Sequence, residues 1–137
     1  MKKILLISFT LICLSSVFLT ASKTYNISES QVNAIENKYG SGAKIRIEQW
    51  DSMIQTSRNE PLLNQIKNVN DFFNELTYKT DLMHWKKKDY WATPFEFIGT
   101  GAGDCEDYAI AKYFSLIKLG ISEDKLRITY VIYQKAN

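Results

Sequence analysis

Apolar residues recur at intervals of three and four through most of this chain and alternate with polar ones only near its end. Ser28-Glu29-Ser30-Gln31 has the spacing of a capping box, and Val32, Ile35 and Tyr39 follow on one helical face before Gly40. A second periodic run steps through Ala43, Ile47, Trp50 and Ile54; Ile45 and Ile47 alone would suit a strand, but the longer run fits a helix. Pro61 suits the first turn of a third helix with a stripe of Leu62, Ile66, Val69, Phe73 and Leu76 and with Phe72 at its edge. Residues 77–92 have no clear period and are rich in aromatics.

Thr93-Pro94-Phe95-Glu96 combines a cap, a first-turn proline and a capping-box glutamate, which predicts a short helix before Gly99. Gly99, Gly101 and Gly103 then read as a flexible lead into Asp104. Asp104 is a natural N-cap for a helix carrying Tyr108, Ala109, Ala111, Lys112 and Leu116 and closed by Gly120. Leu126, Ile128, Tyr130 and Ile132 alternate with Arg127, Thr129, Val131 and Tyr133, which is strand periodicity. A lone strand leaves its backbone groups unpaired, so the sheet to which it belongs is expected to be incomplete here.

The first residues change the cellular setting. Met1-Lys2-Lys3 precedes an apolar run over residues 4–19 and the small residues Thr20-Ala21-Ser22. This is the layout of a secretory signal peptide, residues 1–22, ahead of one domain over 23–137; an uncleaved anchor is the alternative. Loss of Lys2 and Lys3 leaves 15 basic residues against 15 acidic ones. A domain of near-zero charge without a basic stripe lacks the phosphate-neutralising charge that drives most nucleic-acid binding, so DNA and RNA are not expected partners. Cys13 falls in the signal segment, and Cys105 is then the one cysteine left in an exported domain, where an odd thiol points to reactivity.

Cys105 falls at the start of a predicted helix, where unpaired amides and the helix dipole favour a thiolate. From position alone, an incidental cysteine is an equally good reading. Asp104, Glu106 and Asp107 crowd it, and three close carboxylates raise a thiol pKa unless something offsets them. They either complement the helix N-terminus or form part of a divalent-cation site with all-oxygen ligands; residue types alone favour the first. His84, the single histidine, sits among aromatic residues and lysines and reads as a surface residue rather than a base. Trp85, Tyr90 and Trp91 could line a peptide groove or close a core.

Asp89-Tyr90-Trp91-Ala92-Thr93-Pro94, Gly101 to Asp104, and Cys105-Glu106-Asp107-Tyr108-Ala109-Ile110-Ala111-Lys112-Tyr113 resemble the bacterial transglutaminase-like cysteine proteinases. The likeness extends to Val69-Asn70-Asp71-Phe72-Phe73-Asn74 and to Leu126-Arg127 through Tyr130-Val131. It implies an α+β fold: a papain-like or transglutaminase-like core with a helical N-terminal part and the nucleophile at a helix N-terminus. It also implies a Cys-His-Asp triad with Cys105 as nucleophile, and calcium held by Asp104, Glu106 and Asp107. Relatives of this type act in the periplasm, cut a large surface adhesin near its N-terminus during biofilm dispersal, and are sequestered by an inner-membrane cyclic-di-GMP receptor.

No histidine or aspartate follows the predicted strand in this sequence, so it reads as the N-terminal portion of such a proteinase, with little proteolysis expected from it alone. The alternatives are a non-catalytic module binding the receptor or adhesin, and a transglutaminase-like acyl transferase or amidase.

Overall fold

The computed structural model describes residues 26–131. The expected signal peptide and the last part of the expected strand lie outside the described residues. Among the described residues, six helices and a two-stranded sheet follow in the order α1 (Glu29–Tyr39), α2 (Ser41–Ser57), α3 (Leu62–Asn74), β1 (Thr77–Tyr78), α4 (Asp81–His84), α5 (Pro94–Thr100), β2 (Ala102–Gly103) and α6 (Cys105–Lys118), with a 3₁₀ turn at Glu123–Lys125. This is the mostly helical α+β arrangement with a small sheet that the sequence predicts. No helix among the described residues is long and apolar enough to cross a membrane.

The capping boxes form as their spacing requires. Ser28 and Gln31 cap α1 reciprocally, and Thr93 and Glu96 do the same for α5. Gly40, at φ +87°, is the one residue between α1 and α2 and turns the chain back on itself. Pro61 stands just before α3 rather than in its first turn; its carbonyl accepts from Asn64 and Gln65 N–H at 2.8 and 3.0 Å. The α3 stripe is only half used, since Val69 and Phe73 are buried whereas Leu62 and Ile66 lie exposed.

Helix α2 is central and packs against α1, α3 and α5, while α6 lies across α3 and α5. Ala43, Ile47, Trp50 and Ile54 of α2 are all buried, confirming the helical reading of that run. Phe73 stacks on Phe97 at 5.9 Å between ring centres, and Phe97 meets Tyr108 edge-on at 4.7 Å, so α3, α5 and α6 share one aromatic core. Two polar links fix α6 within it: Trp50 Nε1 donates to Ser115 Oγ at 2.9 Å in the buried core, and the half-buried Tyr108 Oη donates to the Leu76 carbonyl at 2.6 Å.

The glycines before α6 differ from expectation. Gly99 is buried inside α5, where a Cβ would lie 2.6 Å from the Tyr39 ring. Gly101 (φ +71°) ends α5 in the left-handed region, and Gly103 belongs to β2. These positions are close-packed contacts rather than a flexible lead. β2 pairs in parallel with β1, Thr77 opposite Ala102 and Tyr78 opposite Gly103. The expected strand from residue 126 forms no ladder over the described residues; Leu126 is extended (φ −120°, ψ 140°) but no neighbour pairs with the segment.

Candidate active site

The sheet and two helix ends deliver the site. β2 runs into Asp104, the N-cap of α6, and Cys105 is the first residue of that helix, with its thiol exposed. Asp107, in the same turn, is fully buried. Its Oδ1 accepts from Ala92 N–H at 2.7 Å and its Oδ2 from Asp104 N–H at 3.2 Å, so it ties the segment before α5 to the head of α6. Gly103 allows this, because a Cβ there would collide with Asp107 Oδ2.

A further aspartate enters from upstream. Asp81, at the start of α4, is buried; its N–H donates to Asp104 Oδ2 at 3.2 Å, and its own Oδ2 accepts from Tyr90 N–H. Carboxylate oxygens of Asp81, Asp104 and Asp107 lie within 4.8 Å of one another, as do those of Asp81, Asp89 and Glu106, and those of Asp104 and Glu106 with the Cys105 sulfur. The expected trio of Asp104, Glu106 and Asp107 is thus part of a larger cluster joined by Asp81 and Asp89. Neither was visible as a site residue in the sequence, because they lie in the irregular stretch well upstream.

The electrostatics follow from this crowding. Burial pushes Asp104 up to about 7, and the adjacent Glu106 carboxylate and Asp81 add to the effect. Burial likewise raises Asp107, against the two amides that favour its charged form. Cys105 Sγ donates to Glu106 Oε2 at 3.1 Å; that hydrogen bond, with burial and the charges of Glu106 and Asp104, raises the thiol above its ordinary value. Asp81 Oδ1 and Asp104 Oδ1 are buried and meet no hydrogen-bond donor among the described residues. Two unsatisfied buried carboxylate oxygens facing other carboxylates are what a hard cation with oxygen ligands would satisfy, so this donor set fits calcium.

A groove of about 240 Å³ opens beside the thiol, between Trp91, Ala109 and Ile110 on one side and Ile128 and Tyr130 on the other. The aromatic group therefore divides: Trp85 and Tyr90 pack together at 4.7 Å against the core, whereas Trp91 stays exposed at the groove. His84 is half-buried with its ring edge on Trp85 at 4.6 Å, not an exposed surface residue.

An exposed cysteine thus heads a helix, with buried carboxylates behind it and a groove beside it. Residues 43–137 match the family described as bacterial transglutaminase-like cysteine proteinase BTLCP, and the chain belongs to that family. Among solved structures, Legionella pneumophila LapG is similar at 37% identity with a TM-score of 0.60, over 73% of this chain and 55% of that one. The EGTA-treated and calcium-bound forms of the same LapG match at the same identity and TM-score, over 73% and 72% of this chain and 54% and 55% of theirs. The chain thus spans about half the length of these structures. No curated protein matches it.

Proposed function

We propose that this chain carries the nucleophile and calcium-binding part of an exported cysteine endopeptidase, with Cys105 as the attacking thiol. One observation carries the reading: the exposed Cys105 sulfur stands at the head of α6 beside Asp104, which clusters in turn with Asp81, and the buried Oδ1 atoms of both aspartates have no donor among the described residues. Asp104 and Glu106 would hold the cation together with Asp81 and Asp89, and Asp107 would anchor the set through its two amide bonds while adding its charge. Calcium bound there would neutralise the carboxylates that keep the thiol protonated. Calcium takes oxygen rather than sulfur ligands, so the thiol would stay free to react.

In the reaction, Cys105 Sγ bonds to the scissile carbonyl carbon and the peptide C–N bond breaks, the proton given up by the thiol ending on the leaving amine; water then splits the thioester, releasing the new carboxyl end and restoring the thiol. The free amides at the head of α6 would face the carbonyl oxygen as charge develops on it. The groove edged by Trp91 and Ala109 would receive the substrate chain.

The calcium-bound form of the similar LapG supports the choice of ion. The proposed setting is the periplasm after removal of residues 1–22, the substrate a large surface adhesin cut near its N-terminus during biofilm dispersal, and the partner an inner-membrane cyclic-di-GMP receptor. Protein made from the complete coding sequence should cut the N-terminal region of such an adhesin, and Cys105→Ala or EGTA should abolish the cut. Cleavage that survives both treatments would refute the assignment.

A further inference from the structure

The carbonyls along the approach to Cys105 are nearly all engaged, and two of them depend on one side chain from a distant helix. The Phe97 carbonyl accepts from Gly101 N–H, Gly101 from Thr77, Gly103 from Lys79 and Asp104 from Tyr108. The Ala102 carbonyl accepts from Thr100 Oγ1. Ile98 and Gly99, two of the carbonyls left at the end of α5, accept instead from Arg46 of α2: Nε to Ile98 at 2.7 Å and Nη2 to Gly99. The guanidinium also lies over Gly101, where a Cβ would come within 2.9 Å of Nε.

We infer that Arg46 is a positioning residue for the cysteine and carboxylate site, acting through the C-terminal end of α5. The connection is short and continuous. Arg46 fixes the last turn of α5, Gly101 turns the chain at φ +71°, β2 covers two residues, and Asp104 and Cys105 follow at once. A planar fork with several donors can hold two carbonyls in a set orientation, which a single ammonium cannot. Freed from it, the turn at Gly101 is held by its backbone bonds and the Thr100 hydroxyl, and Asp104 loses its fixed place beside Asp81. The inference rests on the reading of Cys105 and its carboxylates given above.

The test compares Arg46→Ala, Arg46→Lys and a control, Lys112→Met, which removes the α6 to α3 hydrogen bonds from Lys112 Nζ to Asn70 and Asn74 without touching α5. Calcium affinity by calorimetry and the iodoacetamide rate at Cys105 are measured alongside the unfolding midpoint. Arg46→Ala should weaken calcium binding about tenfold or more, as loss of a group that orients metal ligands does, and Arg46→Lys should lie between it and the parent. Millimolar guanidinium, far below denaturing concentrations, should restore binding and the parent alkylation rate in Arg46→Ala while leaving the parent and Lys112→Met unchanged.

Unaltered calcium affinity and alkylation in the Arg46 variants would overturn the proposal. So would losses that track the unfolding midpoint as they do in Lys112→Met and resist guanidinium. Should Arg46→Ala fail to fold, Arg46→Lys decides by the same two readouts. A parent chain that bound no calcium would defeat the calcium reading instead, and the alkylation rates would then decide on Arg46.

Discussion

The Asp107 carboxylate accepts from the Ala92 N–H at 2.7 Å, so an acid in the first turn of α6 holds the backbone just before α5. Its second oxygen accepts from Asp104 N–H, and the side chain is fully buried. Replacement by alanine leaves two buried amides without acceptors and should cost about 2–4 kcal/mol in stability. Asp107→Asn keeps one acceptor and presents an NH₂ where the other stood, so it should fall between alanine and the parent. Urea unfolding in EGTA reads both, and an alanine variant as stable as the parent would show that these bonds do not hold the site.

Gly101 and Gly120 both have positive φ, at +71° and +96°, but only Gly101 is crowded. Alanine at Gly120 meets nothing within 4 Å among the described residues, so its cost is the left-handed backbone alone, about 1 kcal/mol. At Gly101 the new methyl group also displaces the Arg46 guanidinium, and the cost should rise to about 2–3 kcal/mol. Calcium affinity should fall in Gly101→Ala and stay at the parent value in Gly120→Ala. Equal behaviour of the two variants in both measurements would separate the α5 turn from the site.

Asp104 shows how an acidic cluster makes stability depend on pH. Its pKa rises from 3.8 to about 7 on folding, so between these values the folded protein holds a proton that the unfolded chain has released. Stability without calcium should therefore fall as pH rises from about 4 to about 7 and level off above. Calcium competes with that proton, so calcium binding should weaken as pH drops below about 7, and saturating calcium should remove the downward slope at neutral pH. Asp104→Asn should flatten the metal-free profile. Denaturant titrations across this range with EGTA or calcium measure each slope, and a metal-free stability that climbs toward pH 7 would contradict the burial of Asp104 beside Glu106.

Helices were legible in the sequence where local chemistry decides them. The Ser28 and Thr93 capping boxes formed as spaced, and the run from Ala43 to Ile54 buried the face its period marks. Cys105 at a helix head was legible for the same reason, since Asp104 is a cap and Gly101 and Gly103 set off the helix. Contacts between residues distant in sequence were not. Gly99 reads as a flexible spacer until Tyr39 is packed on it, and Gly101 until Arg46 covers it. Asp81 and Asp89 belong to the acidic cluster, yet Asp81 reaches Asp104 across 23 positions through a segment with no period to follow. The available signal was an aspartate beside Thr80 in an otherwise aromatic stretch, which marks a helix start more readily than a cation ligand.

Cys105 and Glu106 supply a prediction in which removing a charge should increase reactivity. The thiol donates to Glu106 Oε2 at 3.1 Å, and that bond, with burial and the nearby charges, keeps the proton on sulfur. Glu106→Gln removes the largest of these influences, so more thiolate should be present at neutral pH and iodoacetamide should react faster in EGTA than it does with the parent. Calcium should accelerate the parent in the same direction, because a cation on Glu106 and Asp104 cancels the same charge. It should have less effect on Glu106→Gln, which has lost both the charge and a ligand. A pH titration of the alkylation rate separates a lower thiol pKa, which shifts the curve to lower pH, from greater exposure, which raises the curve without moving it. A curve for Glu106→Gln that moves to higher pH, or a parent curve that calcium leaves in place, would mean that the carboxylates do not govern the nucleophile.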